Sequence, residues 1–294
     1  MARFSGTYIP STISWLRGPD ENDDGAGAMT ADEQRPKLDT GVAYSARVNN
    51  FWQGGKDNFA ADREAGEQAL DAFPDLPLAV RAGIKLRSRA IRFLVQEAGV
   101  RQFLDLGTGL PSGDPVHKIA QSLEPRCRVV YVDHDPMVMS HARALSHSSP
   151  AGACGYVEGD VRDSGTILAA AGRTLDFGQP VVVFMSSLLH LLPDDDEAYP
   201  MVARYLDAVV PSSYLLITHP SSDIHPEQSA KMASRLNNLM VQKRKYRNKA
   251  EVARFFAGLE LAEPGLVPVP KWRPDSDMEA KSPTMVWCAI GRKP

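Results

Sequence analysis

A doubly wound α/β sheet is the fold this sequence predicts, and three observations predict it. Short runs rich in Val, Ile, Leu and Tyr recur between stretches of helical periodicity; a glycine-bearing loop follows the first run; and the next two runs end at carboxylates. Strands buried on both faces read as near-continuous apolar runs, and intervening helices supply the crossovers that parallel pairing needs.

The elements follow in order. Residues 1–40 are rich in Asp, Glu, Gly and Pro, with an apolar patch only around Ile13, Trp15 and Leu16, so they read as a flexible extension. A single domain is expected over 41–294, with 41–77 as its helical cap. Within 78–99, Val80, Ile84, Ile91, Leu94 and Val95 alternate with Arg81, Lys85, Arg87, Arg89 and Arg92, an amphipathic helix ended by Gly99. Then come a strand at 102–106, a helix at 114–123, a strand at 128–132 and a helix at 136–146. A strand at 154–158, a short helix at 164–171, a strand at 181–185, a helix at 195–210 and a strand at 213–218 continue the alternation. Helices at 226–240 and 248–257 lead to a proline-containing strand-like stretch at 259–269 and a strand at 285–291. With no crossover helix between them, these last two are expected to pair antiparallel at one sheet edge.

Composition narrows the function classes. The chain has 294 residues, 43% hydrophobic and 23% charged, with a formal net charge of −3. The extension holds Arg3, Arg17, Arg35 and Lys37 against seven acidic residues, so the body is close to neutral and no global field favours nucleic acid or membrane. The longest mostly apolar run, 181–192, is interrupted by Ser186, Ser187 and His190 and falls short of the roughly 20 residues a bilayer needs. No apolar leader follows Arg3, and Cys127, Cys154 and Cys288 are widely spaced, which points to a reducing cytoplasm without disulfide or metal site.

The chemistry-bearing residues cluster at strand ends. In an open α/β sheet ligands sit beyond the carboxyl ends of the strands, where the winding reverses. The loop Gly107-Thr108-Gly109 falls there, and its glycines permit close backbone approach. Asp133 ends the second strand about 26 residues beyond Gly107, a spacing at which a carboxylate accepts bonds from ribose hydroxyls. Asp160 ends the third strand at the same rim. The third glycine of a dinucleotide loop is missing, and Pro111 and Ser112 alter the helix start that a pyrophosphate needs. An adenosine cofactor without phosphates fits better than a nicotinamide dinucleotide.

The stretches "FLDLGTGLP", "VVYVDHDPMV", "GDVRD" and "SSLLHLLPDDD", with "ARVNNFWQGGKDNFAADREAGEQALDAFPDL" upstream and "GLELAEPGLVPVPKWRPD" downstream, resemble class I S-adenosylmethionine-dependent methyltransferases. Within them they resemble an actinobacterial S-adenosyl methyltransferase family of mostly unassigned acceptor. The resemblance covers about 44–293. It implies a Rossmann-like, seven-stranded, mostly parallel sheet with an antiparallel last strand, and S-adenosyl-L-methionine as cofactor. Asp105, Gly107 and Gly109, with Thr108 between, would line the methionine part, Asp133 the ribose and His134 the adenine. Asp160 and Val161 would meet the adenine edge, with Ser186 at the end of the fourth strand. Leu110-Pro111 depart from the commonest pattern of that class, which places a third glycine there.

Methyl transfer from a sulfonium needs alignment above all, and a base only where the acceptor is protonated. His190 is the expected base, with His219 as a second candidate for the substrate side. Tyr44, Arg47, Asn50, Lys56 and Asn58 are expected to fold over the cofactor or acceptor. The acidic run 193–197 reads as a helix start, and the basic run 242–249 as a solvated helix end. The expected function is methyl transfer to oxygen or nitrogen of a small molecule, without nucleic acid or membrane, in a chain that has a homodimer as its open oligomeric option. The alternative is a non-catalytic S-adenosylmethionine-binding regulator.

Overall fold

The computed structural model describes residues 39–145 and 147–294; of the expected extension, 1–38 lie outside the described residues. Strands β1 (Gln102–Leu106), β2 (Arg128–Asp133), β3 (Ala153–Glu158), β4 (Val182–Ser186) and β5 (Tyr214–Pro220) pair in parallel in the order β3-β2-β1-β4-β5. The final strand, β8 (Val286–Arg292), runs antiparallel to β5. Beyond it the expected edge strand is split into β6 (Glu260–Leu261) and β7 (Val267–Pro268), both antiparallel to β8. The split has a local cause. Pro264 has no N–H to give the ladder, and Gly265, at φ 85°, closes a turn onto the Ala262 carbonyl.

Helices connect the strands much as their periodicity predicts. Helices α1 (Ser45–Trp52) and α2 (Ala60–Leu70) precede α3 (Leu76–Arg92), which runs on through a π-type turn at Phe93–Glu97 to Gly99 at φ 72°. Then follow α4 (Val116–Leu123), α5 (Pro136–Ala144), α6 (Ser164–Ala171), α7 (Asp195–Asp207), α8 (Pro226–Leu239), α9 (Lys249–Arg254) and the single turn α10 (Asp277–Ala280). Side-chain carboxylates cap three of them: Asp135 accepts from Met137 N, Asp163 from Thr166 N and Asp194 from Asp196 N.

Alternate strand residues face opposite ways, and the core divides accordingly. Leu104, Leu106, Val130, Val132, Val183 and Met185 pack with α6 and α7; Phe103, Val129, Tyr131, Val182 and Phe184 pack with α3 and α4. Each such side chain contributes about 1.5–3 kcal/mol on burial, which makes the sheet a stiff platform. A third apolar cluster joins α1, α2 and α8 through Val48, Ala65, Ala69, Met232 and Leu236, and takes in Leu76 and Ala79 of α3. Among the described residues no helix is long and apolar enough to cross a membrane.

Candidate active site

The chain winds outward from β1 to β3 and then returns to β4 on the other side of β1, so the loops after β1 and β4 diverge from one point on the rim. A cavity of about 270 Å³ lies there, at the crevice where such sheets bind ligands. Asp105, Gly107, Thr108, Gly109, Asp133, His134, Asp160, Val161 and Ser186 all line it, as do Tyr44 and His190.

Gly107 and Gly109 adopt φ of 71° and 68°, the left-handed region that glycine enters without penalty. A Cβ on Gly107 would lie 2.7 Å from Leu188 Cδ1, whereas one on Gly109 would meet nothing within 4 Å. The first glycine thus lets the β1 and β4 loops close on each other, and the second leaves its face open. Gly109 N donates to Asp133 Oδ2 at 2.9 Å, and Asp135 N to Oδ1 at 3.0 Å. A carboxylate has about four lone-pair sites, so Asp133 is held in place with acceptor capacity to spare. Burial raises its pKa against the pull of those two N–H donors.

Beside it, burial pushes the Asp105 carboxyl up to about 7; Arg87 opposes the shift and Asp133 adds to it. Arg87 donates to the Ser112 carbonyl, but its Nε is buried without a partner. The amide of His117, in the first turn of α4, donates to the Tyr131 hydroxyl at 2.8 Å, which takes up a donor that a pyrophosphate would use.

Across the rim, β4 ends in a strained corner. Ser187 holds φ 51° without being glycine, with its N–H on the Thr218 carbonyl and hydroxyl at 3.0 and 2.9 Å. The corner leads into a 3₁₀ turn, Leu189–Leu191, carrying His190. That ring is 8% exposed and its Nδ1 is buried with no partner. Burial, with Arg244, His219 and Arg247 nearby, drives its pKa well below the ordinary value, so it is neutral. Tyr246 stands 6.2 Å away, centroid to centroid.

Five other expectations change. His219 is fully buried and outside the cavity lining: Nδ1 bonds the Pro220 carbonyl at 2.8 Å and Nε2 the Arg247 guanidinium at 3.1 Å. Burial takes its pKa down to about 3, so it supports the wall and has no free nitrogen for a substrate. Arg47, also outside the lining, is committed to Asp62 and to the carbonyls of Asp39 and Val42. Asn50 and Asn58 bond each other at 2.9 Å and shape the Gly54-Gly55 turn, where Asn50 Oδ1 also accepts from Asp57 N. Lys56 points to solvent away from the cavity. The cap meets the cavity instead through α1, with Ser45, Asn49 and Trp52 beside Tyr44.

The basic run is not a solvated helix end either. Residues 243–246 lie in no helix or strand, and Gln242, Arg244 and Tyr246 line the cavity in alternation. Lys245 and Arg247 turn to Asp195, at 2.7 and 2.8 Å. Asp195 is therefore a partner to this segment, and the capping expected of its acidic run falls to Asp194 alone. Arg87 and Arg244 were absent from the expected site. Arg87 had a legible signal, because it sits at helical spacing between the apolar Ile84 and Ile91. Arg244 had none, since nothing in a run of mixed Lys and Arg marks which of them is buried.

Residues 31–294 match the model of a family described as S-adenosyl methyltransferase. The crystal structure of a DUF574 family protein from Streptomyces avermitilis MA-4680 is similar at 39% identity and TM-score 0.83, over 87% of this chain and 99% of that one. A Thermobifida fusca YX protein provisionally described as a methyltransferase is similar at 37% identity and TM-score 0.78, over 86% and 95% of the two chains. Mitomycin 7-O-methyltransferase MmcR shares the fold, at 16% identity and TM-score 0.50 over 84% of this chain and 71% of its own. No protein of curated function matches the sequence.

Proposed function

This chain belongs to the S-adenosyl methyltransferase family, and on that premise we propose that it methylates an oxygen or nitrogen of a small molecule seated in the cavity, with His190 as the base. It is an S-adenosyl-L-methionine-dependent methyltransferase. The residues at the rim fit that cofactor: Gly109 leaves an open face, Asp133 has unused lone pairs, and the Arg87 Nε is buried without a partner. Asp105 and Arg87 would hold the ammonium and carboxylate of the methionine part beside Gly107, Thr108 and Gly109. Asp133 would hold the ribose hydroxyls, with His134, Asp160 and Val161 around the adenine and Ser186 toward the sulfur. When bound, S-adenosyl-L-methionine supplies an electrophilic methyl group on a sulfonium.

The chain's own tasks are then alignment, exclusion of water and removal of a proton. Tyr44 and α1 close one side of the cavity, and Gln242, Arg244 and Tyr246 another. The observation that carries the reading is His190: neutral, buried, and with an unpartnered Nδ1, on the wall of the same cavity as Asp133. The inward or paired orientation of the basic run leaves little there for a nucleic acid, which favours a small acceptor. Three unpaired cysteines suit a reducing cytoplasm.

Methyl-labelled S-adenosyl-L-methionine, incubated with the protein and a panel of phenols, hydroxy acids and amines, tests this. Label is expected in a small product, and His190→Gln should lower kcat by roughly 10²–10⁴-fold without weakening S-adenosylhomocysteine binding. Undiminished turnover in the variant, or label only in macromolecules, would remove the assignment.

A further inference from the structure

Resting on that reading of the cavity as the acceptor's seat, we propose that Arg244 recognises an anionic group on the acceptor, which is an apolar molecule bearing a carboxylate. Buried arginines elsewhere have counter-ions: Arg47 pairs with Asp62, Arg89 with Glu279 and Arg247 with Asp195. Arg244 is 6% exposed and has no carboxylate partner among the described residues. Its Nη2 reaches only Met240 Sδ and, at 3.4 Å, Ser45 Oγ; the Tyr246 hydroxyl is its other neighbour; and its Nε is buried with no partner at all. A guanidinium carries five N–H donors and cannot shed its charge. Desolvating it without an anion is costly, and the side that remains open to a counter-ion is the cavity it lines.

The occupant's chemistry follows from what surrounds that guanidinium. Val48, Trp52, Leu76, Met232 and Met285 line the same cavity and belong to one apolar cluster that also takes in Tyr246. Lys243 is turned away, with its Nζ on the Asn237 and Met240 carbonyls, so one positive charge faces this part of the cavity. One fork-shaped cation matches one monovalent, planar anion, and a carboxylate is the group that meets it in two parallel hydrogen bonds. Arg87, the other arginine of the lining, lies by Asp105 and Ser112 at the glycine loop and is left to the cofactor.

The anion site is also coupled to the base. Arg244 is among the cations that make His190 a weaker base, and Tyr246 links the two, its ring 6.2 Å from that of His190 and its hydroxyl toward Arg244. A carboxylate that neutralises Arg244 removes part of that field, so His190 becomes more basic when an acceptor is seated.

Benzoate and its neutral isostere benzamide, titrated calorimetrically into the full-length protein saturated with S-adenosylhomocysteine, test the site without any methyl transfer. Benzoate should bind the wild type and benzamide should not. Arg244→Gln should weaken benzoate by roughly tenfold or more while S-adenosylhomocysteine affinity is unchanged. Tyr246→Phe, which removes one hydroxyl, provides a second variant should the first unfold, and it should weaken benzoate by a smaller factor. Benzoate that fails to bind, binds no better than benzamide, or binds Arg244→Gln and Tyr246→Phe as well as wild type overturns the proposal. Loss of S-adenosylhomocysteine binding in Arg244→Gln also overturns it, by assigning the guanidinium to the cofactor. A protein that transfers methyl groups but ignores benzoate sinks this inference alone, and a His190 without effect on turnover sinks the parent reading alone.

Discussion

Burial lifts the Asp105 carboxyl to about 7, so near neutrality the free protein carries it partly protonated. The ammonium of the cofactor's methionine part would hold it ionised. Below pH 7 the free protein therefore keeps a proton that the complex must release; above 7 it does not. S-adenosylhomocysteine affinity is expected to fall up to about tenfold per pH unit as pH drops below 7, and to level off above it. Titrations between about pH 5.5 and 8 should show that slope in the wild type and a weak, flat profile in Asp105→Asn. A flat wild-type profile would take Asp105 away from the ammonium. The rim residues were legible because strand ends are legible: Asp133 and Asp160 close apolar runs, and Gly107 and Gly109 follow one. The cap residues were misread because Arg47, Asn50 and Asn58 have the polarity of ligand contacts, yet spend it on Asp62, on each other and on local carbonyls.

The segment 242–246 lines the cavity through Gln242, Arg244 and Tyr246, and one neighbouring side chain fastens it. Arg247 has no exposed surface. It donates to the Leu189 and Leu192 carbonyls, to Asp195 and to His219, and so ties the segment to both ends of the turn that bears His190. Truncation would leave the buried Leu192 carbonyl without its donor, take one of two donors from the Leu189 carbonyl, and leave Asp195 with Lys245 as its remaining cation. Breaking a buried pair costs about 3–5 kcal/mol; because Asp195 is 29% exposed, the lower end applies. Arg247→Ala should therefore lose about 3 kcal/mol in equilibrium urea unfolding and lower turnover, whereas Lys243→Ala should stay within about 0.5 kcal/mol of wild type. Equal stability in the two variants would show that the segment is held elsewhere. Its tie to Asp195 joins residues far apart in sequence, which is why a local reading of charge could not find it. The helices and strands, by contrast, announce themselves within a few neighbouring residues. Even the split of the edge strand has a local cause at Pro264 and Gly265.

At the scale of the molecule, the cavity lies between a rigid sheet rim and a wall built from α1 and the segment around Arg244. A ligand that touches both is a cross-link that exists only in the native state, so its binding energy adds to global stability. At 100 times its dissociation constant such a ligand adds about 2.7 kcal/mol, a rise in Tm of roughly 5–10 °C for a domain of this size. S-adenosyl-L-methionine and S-adenosylhomocysteine should each produce that rise. NAD should not, because an amide in the first turn of α4 is already taken by Tyr131 and the third loop glycine is absent. Asp133→Ala should abolish the shift with both sulfur nucleosides: the lost carboxylate removes the ribose acceptors and also frees the Gly109 and Asp135 amides that now hold the loop in register. A shift that survives in Asp133→Ala would mean that the ribose is bound elsewhere on the rim. A shift with NAD equal to that with S-adenosylhomocysteine would mean that the glycine loop accepts phosphates despite its altered path.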